Sequence, residues 1–130
     1  MLKFLSKFES EAYALLRIVS GFMLSGHGAQ KILGWLTDRP RPEFGTQMWV
    51  GGMIELCGGL AVMLGWQTRL AAFLCSGTMA VAYTQFHWKL ATGQDFFPFV
   101  NRGESALLYS FVFLLIACKG SGAFGFDKKG

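Results

Sequence analysis

Glu55 is the one carboxylate inside "GGMIELCGGLAVMLG", residues 51–65, an apolar run studded with glycine. On a helix it shares a face with Gly51, Gly58, Gly59 and Val62, in a stripe that runs on to Gly65. Small residues at that spacing let a neighbouring helix approach closely, so the carboxylate is expected to point into the protein. An ionised carboxylate at such depth is costly unless a proton or a cation neutralises it. The run before it offers cations. Arg17, Gly21, Leu24, Gly28 and Lys31 follow one helical stripe, with Ser20 and His27 alongside. Further on, Ser76, Ala80, Tyr83 and His87 share a stripe, and Glu104 opens the last apolar run.

The chemistry open to this set is proton handling and hydrogen bonding to a polar head group. Glu55 and Arg17 are the proton-handling candidates, with Arg17 tuning the carboxylate. His27, Lys31, Glu55, Tyr83, His87 and Glu104 are the ligand-binding candidates. At the helical rise Arg17 lies about 8 Å from one boundary, Glu55 about 16 Å and His27 about 22 Å. The expected arrangement is therefore a polar cavity floored by Glu55 and Arg17 and open toward His27, Lys31, His87 and Glu104. Plainer readings stand beside it. Glu55 with Arg17 is equally an ion pair that fixes helix register, and the histidines are interfacial. Lys31 and Arg69 are snorkelling anchors, Tyr83 is core, and Glu104 is an N-terminal helix charge. The two histidines have no second carboxylate near them on their helices, and Cys57, Cys75 and Cys118 form no CxxC. No metal site is expected, and the thiols read as small buried side chains.

The elements that must position these residues are apolar and long. Of the 130 residues 52% are hydrophobic and 15% charged, against roughly 25% charged in ordinary soluble domains. Mean hydropathy is +0.38. Four runs, at about 12–36, 47–66, 68–88 and 103–120, read as membrane spans, since about 20 helical residues cross a 30 Å hydrocarbon core. The last is short and spans if Glu104 and Lys119 reach outward to the boundary. Charged stripes of the kind that a soluble helical bundle displays are missing from these runs.

Between them, Pro40 and Pro42 break the first long loop, "GWQTR" is a tight turn, and Gly93 and Pro98 break the second long loop. Phe96, Phe97 and Phe99 suit an interface there. The expected fold is all-α: one integral membrane four-helix bundle with short loops, covering residues 1–130.

Lys3 and Lys7 resemble the start of a secretory signal, but Arg17 interrupts the apolar core that such a signal needs. The net charge of +4 comes without a basic run, which excludes a nucleic-acid partner and leaves lipid head groups. With four spans, both termini and the "GWQTR" turn share one side, with Lys3, Lys7, Arg69, Lys119, Lys128 and Lys129. Lys31, Arg39, Arg41, Lys89 and Arg102 fall on the other. Six basic residues against five bias the termini toward the cytoplasm.

In order along the chain, "GHGAQKILG", "GGMIELCGGLAVMLGWQTRLAA", "GESALL" and the tail "KGSGAFGFDKK" resemble the DoxX family of small bacterial membrane proteins. The likeness covers nearly the whole chain. One departure is in the tail, where Phe126 replaces the family's usual Ser ahead of Asp127. The resemblance implies a four-helix protein of the bacterial cytoplasmic (inner) membrane, with family positions at Arg17, His27, Gly28, Lys31, Glu55, Gly58, Gly59 and Arg69. It also implies a quinone-linked redox component, or a subunit of a membrane oxidoreductase complex with other redox proteins as partners. The sequence carries no flavin, haem or iron–sulfur motif, so no intrinsic cofactor is expected, and whether the chain is an enzyme by itself stays open. The alternative is a non-catalytic accessory subunit of a larger membrane complex.

Overall fold

The computed structural model describes residues 1–128, whose regular elements are all helical with no strand among them; Lys129, counted above among the basic residues, lies outside the described residues. Four long helical stretches carry the fold. A short 3-10 turn, Lys3–Phe8, leads into α1, Glu9–Leu33. The second, α2, runs Gln47–Leu64. The third, α3, runs Thr68–Ala82 and continues without a break through a wider π turn, Tyr83–Trp88. The last, α4, is Glu104–Lys119.

Local chemistry sets these limits. Gly34 takes the left-handed conformation (φ 68°) and closes α1, so Trp35 and Leu36 lie beyond the helix that the hydrophobic run suggested. The Thr46 hydroxyl accepts from the Trp49 amide at 3.3 Å and caps α2. Gly65, at φ 70°, ends α2, and three residues later α3 begins. Before α4, Pro98 starts the single turn Pro98–Asn101, and the Asn101 side chain accepts from the Gly103 amide at 2.9 Å.

Two antiparallel hairpins result, α1 on α2 and α3 on α4, joined along α2 and α3; α1 and α4 scarcely touch. Absent side chains fix the first hairpin. A Cβ at Gly21 would lie 2.6 Å from the Gly59 carbonyl, and one at Gly28 would overlap the backbone of Leu56. The second is pinned by Ser76, whose hydroxyl donates to the Ser110 carbonyl at 2.6 Å. Leu24, Val62, Cys75, Met79, Phe113 and Ile116 fill the core between the hairpins.

The glycine face expected around Glu55 divides between two neighbours. Gly52 and Gly59 meet α1, while Gly51 and Gly58 meet Thr78 and Cys75 of α3. A π turn at Ile54–Gly58 also lies inside α2. Such a turn takes in one more residue than an α-turn and shifts the helix face, which a 3.6-residue period does not anticipate.

Apolar side chains cover the outside as well as the core. Leu15, Phe22, Leu70, Phe73, Leu108 and Phe111 are each at least 60% exposed. Among the described residues one helix, Gln47–Leu64, is by itself long and apolar enough to cross a membrane, at a mean hydropathy of 1.4. The 25-residue α1 carries Arg17 and Lys31, and α4 has 16 residues.

Candidate functional site

The hairpin register decides which cation meets Glu55. With Gly28 against Leu56, the carboxylate lies level with the last turn of α1, and Lys31 reaches it. Lys31 Nζ donates to Glu55 Oε1 at 3.0 Å and stands 2.8 Å from Oε2. Glu55 is 3% exposed, and the Lys31 side chain 35%. Both carboxylate oxygens thus lie within 3.0 Å of the one ammonium. A charge-balanced pair, with one ammonium serving a whole carboxylate, therefore stands here.

Arg17 does not reach Glu55. It lies eleven residues before Gly28, about 16 Å along the helix, and packs against the other end of α2. There its guanidinium, fully buried, donates to the carbonyls of Val62 (2.8 Å) and Met63 (2.9 Å). It also donates to Ala123 (2.9 Å) and Phe124 (3.1 Å) of the tail. The last carbonyls of a helix lack intrahelical partners and carry partial negative charge, and a rigid fork of donors matches them better than a carboxylate one helix away. The expected Glu55–Arg17 floor is thus replaced by Glu55–Lys31.

The remaining candidates do not converge. His27 is exposed and lines a separate apolar groove between α1 and α2, with Phe22, Trp35 and Leu60. Tyr83 is buried and its hydroxyl accepts from Asn101 Nδ2 at 3.1 Å. His87 packs over Gly103, and Glu104 is exposed at the start of α4. The single polar cavity expected from the stripes therefore does not form; only Lys31 and Glu55 of that set line one cleft.

That cleft lies between α2 and α3 and has a volume of about 550 Å³. Lys31 and Glu55 are at its polar end, and Val50, Ile54, Phe73, Leu74, Val81 and Phe86 are among its walls. Near its mouth Gln47 donates to Gln85 at 2.7 Å and ties the two helices together. Two residues here were not singled out from the sequence. Gln85, the partner of the cleft-lining Gln47, hides in a run without charge, and Gly77, which lines the cleft, reads as one more small packing residue.

Residues 12–88 match the family model described as DoxX. The chain belongs to the DoxX family. The match takes in α1 from Ala12, all of α2 and all of α3, so both halves of the Lys31–Glu55 pair and the cleft walls fall inside the DoxX region, with α4 and the tail beyond it. An uncharacterised protein of Haemophilus influenzae is 39% identical over 128 residues, covering 96% of this chain and 95% of its own. A protein of Escherichia coli named inner membrane protein YqjF is 28% identical over 131 residues, covering 95% of each chain. No solved structure matches.

Proposed function

We propose that this DoxX-family chain is a four-helix integral protein of the bacterial inner membrane. In this reading it binds a quinone-type ring in the α2–α3 cleft and acts as a quinone-linked redox component or as a subunit of an oxidoreductase complex. The observation that carries the reading is an ion pair, the buried Glu55 with the half-buried Lys31, in a largely apolar cleft.

The membrane assignment is supported by the apolar outer surface and by the printed name of the Escherichia coli relative. Helix lengths agree with it. With its π extension α3 reaches about 30 Å, and α4 about 24 Å between Glu104 and Lys119, whose charged ends stand at the boundary. Both termini lie on the cytoplasmic side.

The cleft suits the proposed ligand. Lys31 has N–H groups beyond the one given to Glu55, and these are the donors a ring carbonyl requires. Phe73 and Phe86 supply flat apolar walls. Glu55 balances the lysine charge and is the group placed to hold a proton beside the ring. When bound, a quinone supplies a two-electron, two-proton couple; the electrons come from a partner protein or a soluble donor.

The test is a titration of the purified protein with a quinone analogue, wild type beside Glu55→Gln, with helicity followed by circular dichroism. Saturable binding by the wild type, weakened roughly tenfold or more in a folded Glu55→Gln, is the expected result. Absence of binding by either protein would return the chain to the accessory-subunit reading, with Lys31–Glu55 as a register pin.

A further inference from the structure

Glycines in α2 and α3 are of two kinds. A Cβ at Gly59 would lie 2.6 Å from the Ser25 amide, and one at Gly58 would lie 2.7 Å from Cys75 Sγ, so packing explains both. Gly77 is different. A Cβ there meets nothing within 4 Å, and at Gly51, across the cleft, it meets only Thr78 Cγ2 at an ordinary 3.8 Å. Neither glycine has positive φ. Each sits within a helix, where glycine is less stable than alanine. Neither contact nor backbone conformation explains them, and both line the cleft that holds the 3%-exposed Glu55 and its Lys31 partner.

We propose that Gly51 and Gly77 form a lateral portal, through which a neutral quinone-type ring passes from the lipid phase to Lys31 and Glu55 while its apolar tail stays among the lipids. The proposal rests on the reading of the cleft given above. The pair at the cleft end is charge-balanced, which favours a neutral head over an anion. Val50, Phe73, Leu74, Val81 and Phe86 run from the cleft wall to the outer surface, each at least 45% exposed, so an apolar tail has a continuous path outward.

A side chain returned at Gly77 tests it. A folded Gly77→Leu, which fills the gap, is expected to bind roughly tenfold more weakly or worse. A photoreactive quinone analogue on the wild-type protein should label the peptide of residues 68–88. Three results overturn the portal: a folded Gly77→Leu that binds like wild type; label confined to residues 104–119; or label that excess phospholipid removes as well as the unmodified analogue does. Should Gly77→Leu not fold, the site of labelling decides. Wild-type protein that neither binds nor takes label sinks the reading of the cleft itself, and the portal with it. Binding that is lost in Glu55→Gln yet kept in a folded Gly77→Leu sinks the portal alone.

Discussion

Two arginines do the same work at opposite hairpins. Arg17 donates to carbonyls at the end of α2 and in the tail, and Arg69 donates to the carbonyls of Ala117, Cys118 and Lys119 at the end of α4. Each gives a helix C-terminus the positive charge and the donors that it lacks. Arg17→Ala leaves four carbonyls without this donor, and unsatisfied buried groups cost about 1–3 kcal/mol each. We expect Arg17→Ala to lower the melting temperature sharply in detergent. Arg17→Lys should recover only part of the loss, because an ammonium cannot bridge two pairs of carbonyls as a fork does. If Arg17→Ala melts like wild type yet loses ligand binding, Arg17 belongs to the site after all. The sequence told that Glu55 needed a neutralising partner on α1; it did not tell which. Charge type and depth favoured Arg17, whereas the choice depended on the hairpin register, which the close contacts at Gly21 and Gly28 impose.

At the scale of elements, the tail from Gly120 onward latches the end of the bundle at which α1 begins. The Tyr13 hydroxyl donates to the Gly120 carbonyl at 2.5 Å, and the Phe126 and Asp127 amides donate to Leu64 and Gly65. The Asp127 carboxylate accepts from the Gln67 and Thr68 amides at 2.7 and 2.9 Å and so caps α3. Partial burial by itself raises the Asp127 pKa, but bonds from Thr68 and Gln67, and the nearby Arg17 charge, outweigh it and hold the group below its ordinary value. A depressed carboxylate pKa contributes stability that is present above the unfolded value and is lost as pH falls through the folded value. Melting temperature is therefore expected to drop as pH falls below the usual carboxylate range, and Asp127→Asn should flatten that drop and cost about 1 kcal/mol at neutral pH. An unchanged acid limb in Asp127→Asn would mean that other carboxylates govern it. The helices were legible from hydrophobic runs and breakers. The π turns at Ile54–Gly58 and Tyr83–Trp88 were not, because neither glycine nor proline marks them uniquely and their extra residue answers to packing.

Across the whole molecule, the Lys31–Glu55 pair and the polar bonds of the tail latch lie toward opposite ends. The latch gathers the start of α1, the Gly65–Thr68 turn and the tail at one end; the residue 34–46 and 89–103 loops, with the Gln47–Gln85 bond nearby, stand at the other. The Lys31–Glu55 cleft lies in the latter half, between hairpins that meet chiefly along α2 and α3. A wide apolar exterior with its charges drawn to the two ends is stable where lipid, rather than water, meets the sides. Such an arrangement makes orientation a property that single labels can read. In a background of Cys57→Ser and Cys118→Ser, which keeps the buried Cys75, a membrane-impermeant maleimide applied from the periplasmic side is expected to label Asp38→Cys and to spare Ser6→Cys until the membrane is opened. Both positions are exposed, so a difference between them reports sidedness rather than burial. The reverse pattern would put the termini outside and overturn the six-to-five charge bias. Equal labelling of both in sealed cells would break the four-span topology, because in four antiparallel spans residue 6 and residue 38 stand on opposite faces.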